Sequence, residues 1–310
     1  MKTNKWIFAS AIIMLTACSS NNEEEPSVLS GSPAENETEV TMTFSPYDVE
    51  PMTRTATSIA EVVTRLDVWL VEGDNVIDIH QSSSDDGFGA VNITLNKTKT
   101  YTLYAVGHKA AGAATLADGV ISFPDDKVTH SMYYTTTFSP ATTTNINALM
   151  QRIVAQFQFN TTDAVPAEVT KMQITIASVF DRWNTASGGT HQLDRVSTFQ
   201  NFSTKNDGTV TFNIYAIVTD AQTLHNITVE AYDSNDQQIQ SRTFTDVPLR
   251  NGYRTTYTGV YFTDTPTAAA FTVGDWNAYD VVEFYAFGPY MPHCAYKLPA
   301  PCFPRRPRRR

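Results

Sequence analysis

Val40-Thr41-Met42-Thr43-Phe44 alternates strictly between apolar and hydroxyl side chains. Successive residues of a β-strand point to opposite faces, so Val40, Met42 and Phe44 share one face and the threonines the other. The stretch predicts a half-buried strand. Similar runs follow at Leu66–Val71, Val76–His80, Val91–Leu95 and Tyr101–Val106. Val120–Phe123 is a shorter one, and Ile146–Phe159 restarts the pattern. Further strands are predicted at Met172–Phe180, Val210–Val218, Ile227–Tyr232, Ile239–Phe244, Thr256–Phe262 and Val281–Phe284. Turn formers separate them, as in Glu72-Gly73-Asp74-Asn75 and Asn206-Asp207-Gly208. Residues 181–200, with Trp183, Ser187-Gly188-Gly189 and His191, read as a long loop. Ser58-Ile59-Ala60-Glu61 has capping-box spacing and opens a short helical turn. No segment after the N-terminus has the length and period of an amphipathic helix. Many short strands of this kind predict an all-β protein of antiparallel sheets, packed as two tandem β-sandwich domains at 39–147 and 148–284.

Upstream of the first strand the sequence changes character. Lys2 and Lys5 precede an apolar run from Trp6 to Leu15, too short to span a bilayer comfortably. Leu15-Thr16-Ala17-Cys18 then has the form of a lipobox, the signal of bacterial lipoproteins. Residues 1–17 are expected to be a signal peptide, with Cys18 the lipidated first mature residue. Acyl chains, at ~0.8 kcal/mol per buried methylene, would anchor such a protein to the outer membrane without a transmembrane helix. Residues 18–38 are rich in Ser, Asn, Glu and Pro and read as a disordered tether. The acidic run Glu23-Glu24-Glu25 reads either as a surface-export signal or as a solvated spacer.

Composition narrows the functions available. The net charge of −10 argues against nucleic acid as a partner. After Cys18 there is no cysteine before Cys294 and Cys302, so the body has no thiol chemistry, no disulfide and no thiolate metal site. The six histidines are scattered without a short-spaced pair, which argues against zinc. Acidic clusters at Asp85-Asp86, Asp125-Asp126 and Asp233-Ser234-Asn235-Asp236 lack the pattern of a calcium loop and read as solvated turns. No nucleophile elbow, phosphate loop or dinucleotide fingerprint occurs, so neither an enzyme nor a cofactor is expected. Trp69 and Trp276 stand in or beside strand patterns and read as packing residues. Trp183, in its expected loop, is the one candidate ligand contact. Residues 285–310 carry six prolines, six cations and no acid, and do not continue the sandwich pattern. This basic tail reads either as an appendage or as the product of an altered reading frame.

The order of these pieces resembles the fimbrillins of type V pili, including their minor subunits and anchor proteins. The resemblance runs from the lipobox through Val40–Phe44 and Met52-Thr53-Arg54-Thr55-Ala56 to Leu66-Asp67-Val68-Trp69-Leu70-Val71. It continues at Tyr101–His108 and Arg152-Ile153-Val154-Ala155, then at Val247–Gly259, and closes at Val273-Gly274-Asp275-Trp276-Asn277. It implies transthyretin-like sandwiches, a surface-exposed lipoprotein precursor, and polymers built by strand exchange. In that scheme an arginine-specific protease cuts between Arg54 and Thr55. The strand carrying Val40, Met42 and Phe44 is lost, and an extended segment of another fimbrial subunit fills the groove. Anchor members of the family keep this strand, so the cut at Arg54 stays open. The expected function is a fimbrial subunit or anchor supporting adhesion to a host or bacterial surface receptor. The alternative is a surface glycan-binding lipoprotein of a polysaccharide-uptake system.

Overall fold

The computed structural model describes residues 35–47, 58–263, 270–275 and 281–285. Cys18, Arg54, Thr55, Trp276, the signal segment and the tail beyond Tyr285 lie outside them. The first half contributes β1 (Glu37–Pro46), β2 (Arg65–Glu72), β3 (Asn75–Ser82), β4 (Ala90–Asn96) and β5 (Tyr101–His108). It continues with β6 (Thr115–Ala117), β7 (Val120–Ser122), β8 (Met132–Phe138) and β9 (Asn145–Arg152). One sheet runs in the order β3-β2-β5-β8-β9-β1-β4. Its β8–β9 ladder consists of Met132↔Arg152 and Tyr133↔Gln151 alone. The sheet turns over at that thin joint. Val40, Met42 and Phe44 of β1 thereby meet Leu66, Val68 and Leu70 of β2 and Leu103 of β5 in one buried core. The apolar face predicted from alternation is the face that is buried.

The second half adds β10 (Ala155–Thr161), β11 (Lys171–Asn184), β12 (Gly188–Gln200), β13 (Thr211–Ala216) and β14 (Thr223–Tyr232). It ends with β15 (Gln238–Leu249), β16 (Tyr253–Gly259), β17 (Ala270–Asp275) and β18 (Val281–Tyr285). One sheet runs β13-β10-β16-β17-β18, the other β15-β14-β11-β7-β6 with β12 also on β11. Phe157 and Phe159 pack against Ile174, Ile176, Ile227 and Val229 between them. Tyr257 stacks on Phe159 at 5.0 Å, which adds an aromatic contact to the burial. The protein is an all-β double sandwich, as alternation predicted.

Residues 181–200 are not a loop. β11 runs on to Asn184 and returns as β12, with Trp183 opposite Gly189. The strand signal is hidden for a physical reason. A bulge between Ile176 and Val179, with Ser178 at φ 58°, breaks the two-residue period. Beyond it the exposed positions of β12 are polar except Val196, so no apolar alternation marks the strand. β7 was legible at Val120–Phe123, but its hairpin partner β6 was not, lying in a Gly-, Ala- and Asp-rich stretch. The hairpin crosses to the second half and pairs Ile121 with Trp183 on β11. Trp69, Val106, Ile121, Phe123, Ile153 and Ile217 form a third apolar cluster there, with Trp183 packed against it.

Beside this cluster, the His130 ring of the first half stacks on Tyr215 of the second, centroids 6.1 Å apart. Arg152 Nε donates to His130 Nε2 (2.9 Å), so its Nδ1–H donates to the Val62 carbonyl (3.0 Å). Burial, then the charge of Arg152, push its pKa down from 6.5 to about 4. The neutral ring is favoured by folding, so the stability it contributes is complete above pH 6.5 and is lost as pH falls toward 4. A shift of that size corresponds to roughly 3 kcal/mol. The urea midpoint of the wild type should fall between pH 7 and pH 4.5, and that of His130→Gln should fall less over the same range. Equal slopes for both proteins would remove His130 from the account.

Candidate functional site: the first strand and its groove

β1 lies inside its sheet, with a partner on each side. It pairs antiparallel with β4, placing Val40 opposite Ile93 and Met42 opposite Val91. On its other edge it pairs parallel with β9, placing Met42 opposite Ile146 and Phe44 opposite Ala148. Val40 and Met42 are fully buried and Phe44 nearly so. Thr41 and Thr43 face outward, as their hydroxyls require. Burying the three apolar side chains contributes ~1.5–3 kcal/mol each before ordering costs. Without β1, β4 and β9 would each present a row of unpaired N–H and C=O groups beside an apolar trough.

The ends of the strand are pinned. Asn36 O accepts from Lys97 N (2.7 Å), Phe44 N donates to Gly89 O (2.8 Å), and Tyr47 N donates to Met150 O (2.8 Å). Beyond the strand, helix α1 (Ile59–Val62) is opened by Ser58, whose hydroxyl accepts from Ala60 N (3.3 Å). Ile59 and Val62 join the same core and close that end of the trough. Gly89 makes this possible. It sits at φ +89°, and a Cβ there would come 2.5 Å from Ile59 Cγ2. Arg54 and Thr55 fall in sequence between β1 and α1, outside the described residues.

A second constellation was missed in the sequence. Asp67 is completely buried. It accepts from His108 Nε2 (2.7 Å) and Ala114 N (2.8 Å), and bonds His80 Nδ1 (2.8 Å). Ala110 N donates to His108 Nδ1 (3.1 Å), which fixes the neutral tautomer with its proton on Nε2. Both nitrogens of His108 are thus consumed inside the protein, and it has none left for a substrate. The cluster ties β2, β3, β5 and the following loop together. Cross-strand register creates it by setting Asp67 opposite His80. The one available signal was an aspartate inside Leu66-Asp67-Val68-Trp69-Leu70-Val71.

The other candidates sit elsewhere. Trp183 is half-buried on β11, its ring 5.5 Å from Tyr133, in the packing between the halves. Trp69, also in that cluster, is 2% exposed. Asp233 accepts from the backbone of Asn235 and Gln237, as a turn-forming carboxylate does. Among the described residues no three His, Cys, Asp or Glu side chains converge on a metal position.

Comparison with known proteins places these features in context. The model of DUF6562, a family of unknown function, matches residues 125–281. The sequence matches no curated protein. Among solved structures, a candidate adhesin from Bacteroides ovatus is similar at TM-score 0.50 and 13% identity, over 82% of this chain and 97% of that one. The fimbrial anchor protein Mfa2 from Porphyromonas gingivalis aligns at TM-score 0.44 and 13% identity, over 77% and 97%. A fimbrial assembly protein from Parabacteroides distasonis aligns at 0.43 and 11%, over 80% and 99%. At such identities the likeness is one of fold.

Proposed function

Because the chain belongs to DUF6562, a family of unknown function, its role has to be read from its own geometry, and we propose a cell-surface adhesion protein of the fimbrial type. It is a lipoprotein anchored through Cys18 in the outer membrane. It acts by binding other fimbrial subunits through exchange of β1, and it catalyses nothing. The observation that carries this reading is β1 itself. It is the first strand of the described residues, it is paired on both edges, and it fills an apolar trough with Val40, Met42 and Phe44. A strand from another chain with the same alternation would satisfy the same groups, the backbone giving affinity and the inward side chains register. Arg54 stands between β1 and α1, where a cut would separate the strand from the rest of the body. The fold shared with the candidate adhesin from Bacteroides ovatus supports the surface role.

The mature N-terminus of surface-extracted protein tests it, by intact mass and peptide mapping. An acylated Cys18 would mark an anchor that keeps its strand, and would remove exchange of β1 while leaving the surface lipoprotein. A start at Thr55 would mark a polymerising subunit. A chain beginning at Met1 without lipid contradicts the proposal.

A further inference from the structure

A cleft of about 280 Å³ lies where the two sandwiches meet, lined by Tyr47, Gln151, Arg152, Asp220, Arg250 and Tyr253 among others. Neither β1 exchange nor the Asp67 cluster accounts for it. We propose that this cleft binds an acidic sugar, a uronic or sialic acid residue, with the Arg250 guanidinium holding the carboxylate. The inference names a ligand for the adhesion reading and rests on that reading only for its biological setting.

Arg250 opens the turn from β15 to β16, and that turn is pinned from several sides. Tyr253 N donates to Arg250 O (3.1 Å), Asn251 N to Thr219 O (3.2 Å), and Gly252 N to Val154 O (2.9 Å). The Asn251 side chain bonds both the N–H and the C=O of Val218 (3.0 Å each). Gly252, at φ +80°, supplies the left-handed residue the turn requires. On this rigid base Arg250 Nε donates to the Asp220 carbonyl (2.7 Å), and its guanidinium lies 4.3 Å over the Tyr253 ring. Among the described residues these two contacts fix the plane of the guanidinium and use one of its five donors. The terminal nitrogens remain as a fork whose spacing matches a carboxylate.

The lining around the fork selects a sugar over an acidic peptide. The Asp220 carboxylate and the Gln151 amide stand beside it. A carboxylate opposes a second acidic side chain but accepts from hydroxyls. Tyr47, 45% exposed, offers an aromatic ring to the C–H face of a pyranose, while the Tyr253 ring carries the Arg250 guanidinium. The volume suits a single ring and is just below the range for larger ligands. In a chain of net charge −10, a cleft holding Arg152 and Arg250 is a local attractor for anions.

Calorimetry on the purified full chain, with glucuronic acid and N-acetylneuraminic acid as probes, tests the proposal. Glucose and a triglutamate peptide serve as comparisons. At least one acidic sugar should bind about tenfold or more tighter than glucose. Arg250→Gln should weaken it by about tenfold or more, the low end for a hydrogen bond to a charged group. Arg250→Lys should recover little, because it keeps the charge and loses the fork. Tyr47→Ala, at an exposed position outside the core, should weaken binding without changing the unfolding temperature. Absence of saturable binding by both acidic sugars overturns the proposal. So does binding that Arg250→Gln leaves unchanged, or triglutamate binding as tight as the sugar. Strand exchange measured on the same samples separates the two readings, since Arg250→Gln should exchange β1 normally.

Discussion

Met42→Asp should leave no stable first sandwich at room temperature. Met42 is fully buried at the centre of β1, opposite Val91 on one side and Ile146 on the other. The change forfeits the burial of a large apolar side chain, ~1.5–3 kcal/mol. It also puts a carboxylate into a buried apolar cluster, which costs several kcal/mol more or forces the group to protonate. Against a typical domain stability of ~5–15 kcal/mol, the two together are enough to unfold it. Thr43→Asp, one residue away on the exposed face, should shift stability by no more than ~0.5 kcal/mol. Urea unfolding followed by circular dichroism reads both. A Met42→Asp midpoint equal to the wild type would mean that β1 does not hold the core. A wild-type peptide spanning residues 37–47 should restore the variant in trans if the strand can be supplied from outside.

Asp67→Ala comes next in size. It removes the acceptor shared by His108 Nε2, Ala114 N and His80 Nδ1 in a site with no solvent access to the carboxylate. Leaving the buried His108 Nε2 and Ala114 N–H donors unsatisfied costs ~1–3 kcal/mol each. Asp67→Asn keeps one carbonyl acceptor and should cost less. The order wild type, Asn, Ala in the urea midpoint is the expected result. A loss below about 1 kcal/mol for Asp67→Ala would show that water or a neighbour replaces the carboxylate.

What the sequence revealed follows from which interactions are local. Val40, Met42 and Phe44 were legible because burial of one face of a strand imposes a period of two on adjacent residues. The same held for β10 and β14, whereas β2 was legible as a near-continuous apolar run buried on both faces. β12 was not legible, because its exposed face is polar and the β11 bulge shifts its register. β7 was legible as a strand, but its crossing onto β11 was not, because that partner lies some sixty residues on and pairing across that distance leaves no mark on either segment. The Asp67 cluster was half visible. An aspartate in an apolar strand announces a buried acceptor, but only the registers of β3 and β5 bring the histidines to it. The Arg250-Asn251-Gly252-Tyr253 turn stood out as part of the resemblance. Its possible chemistry depends on a stacked guanidinium and on Tyr47 at the end of β1, neither of which a local pattern encodes.

Exchange of β1 is the central claim, and one measurement addresses it most directly. The full chain is cut with an arginine-specific protease under native conditions and then incubated with a fluorescent peptide spanning residues 37–54. Native mass spectrometry follows both fragments. The account predicts that the body starting at Thr55 retains its own N-terminal fragment at first. The labelled peptide should then replace that fragment one for one, and a peptide carrying Met42→Asp should fail to do so. A cleaved body that stays folded, sheds the fragment and binds no peptide would contradict the account, because β1 would then be dispensable to the groove it fills.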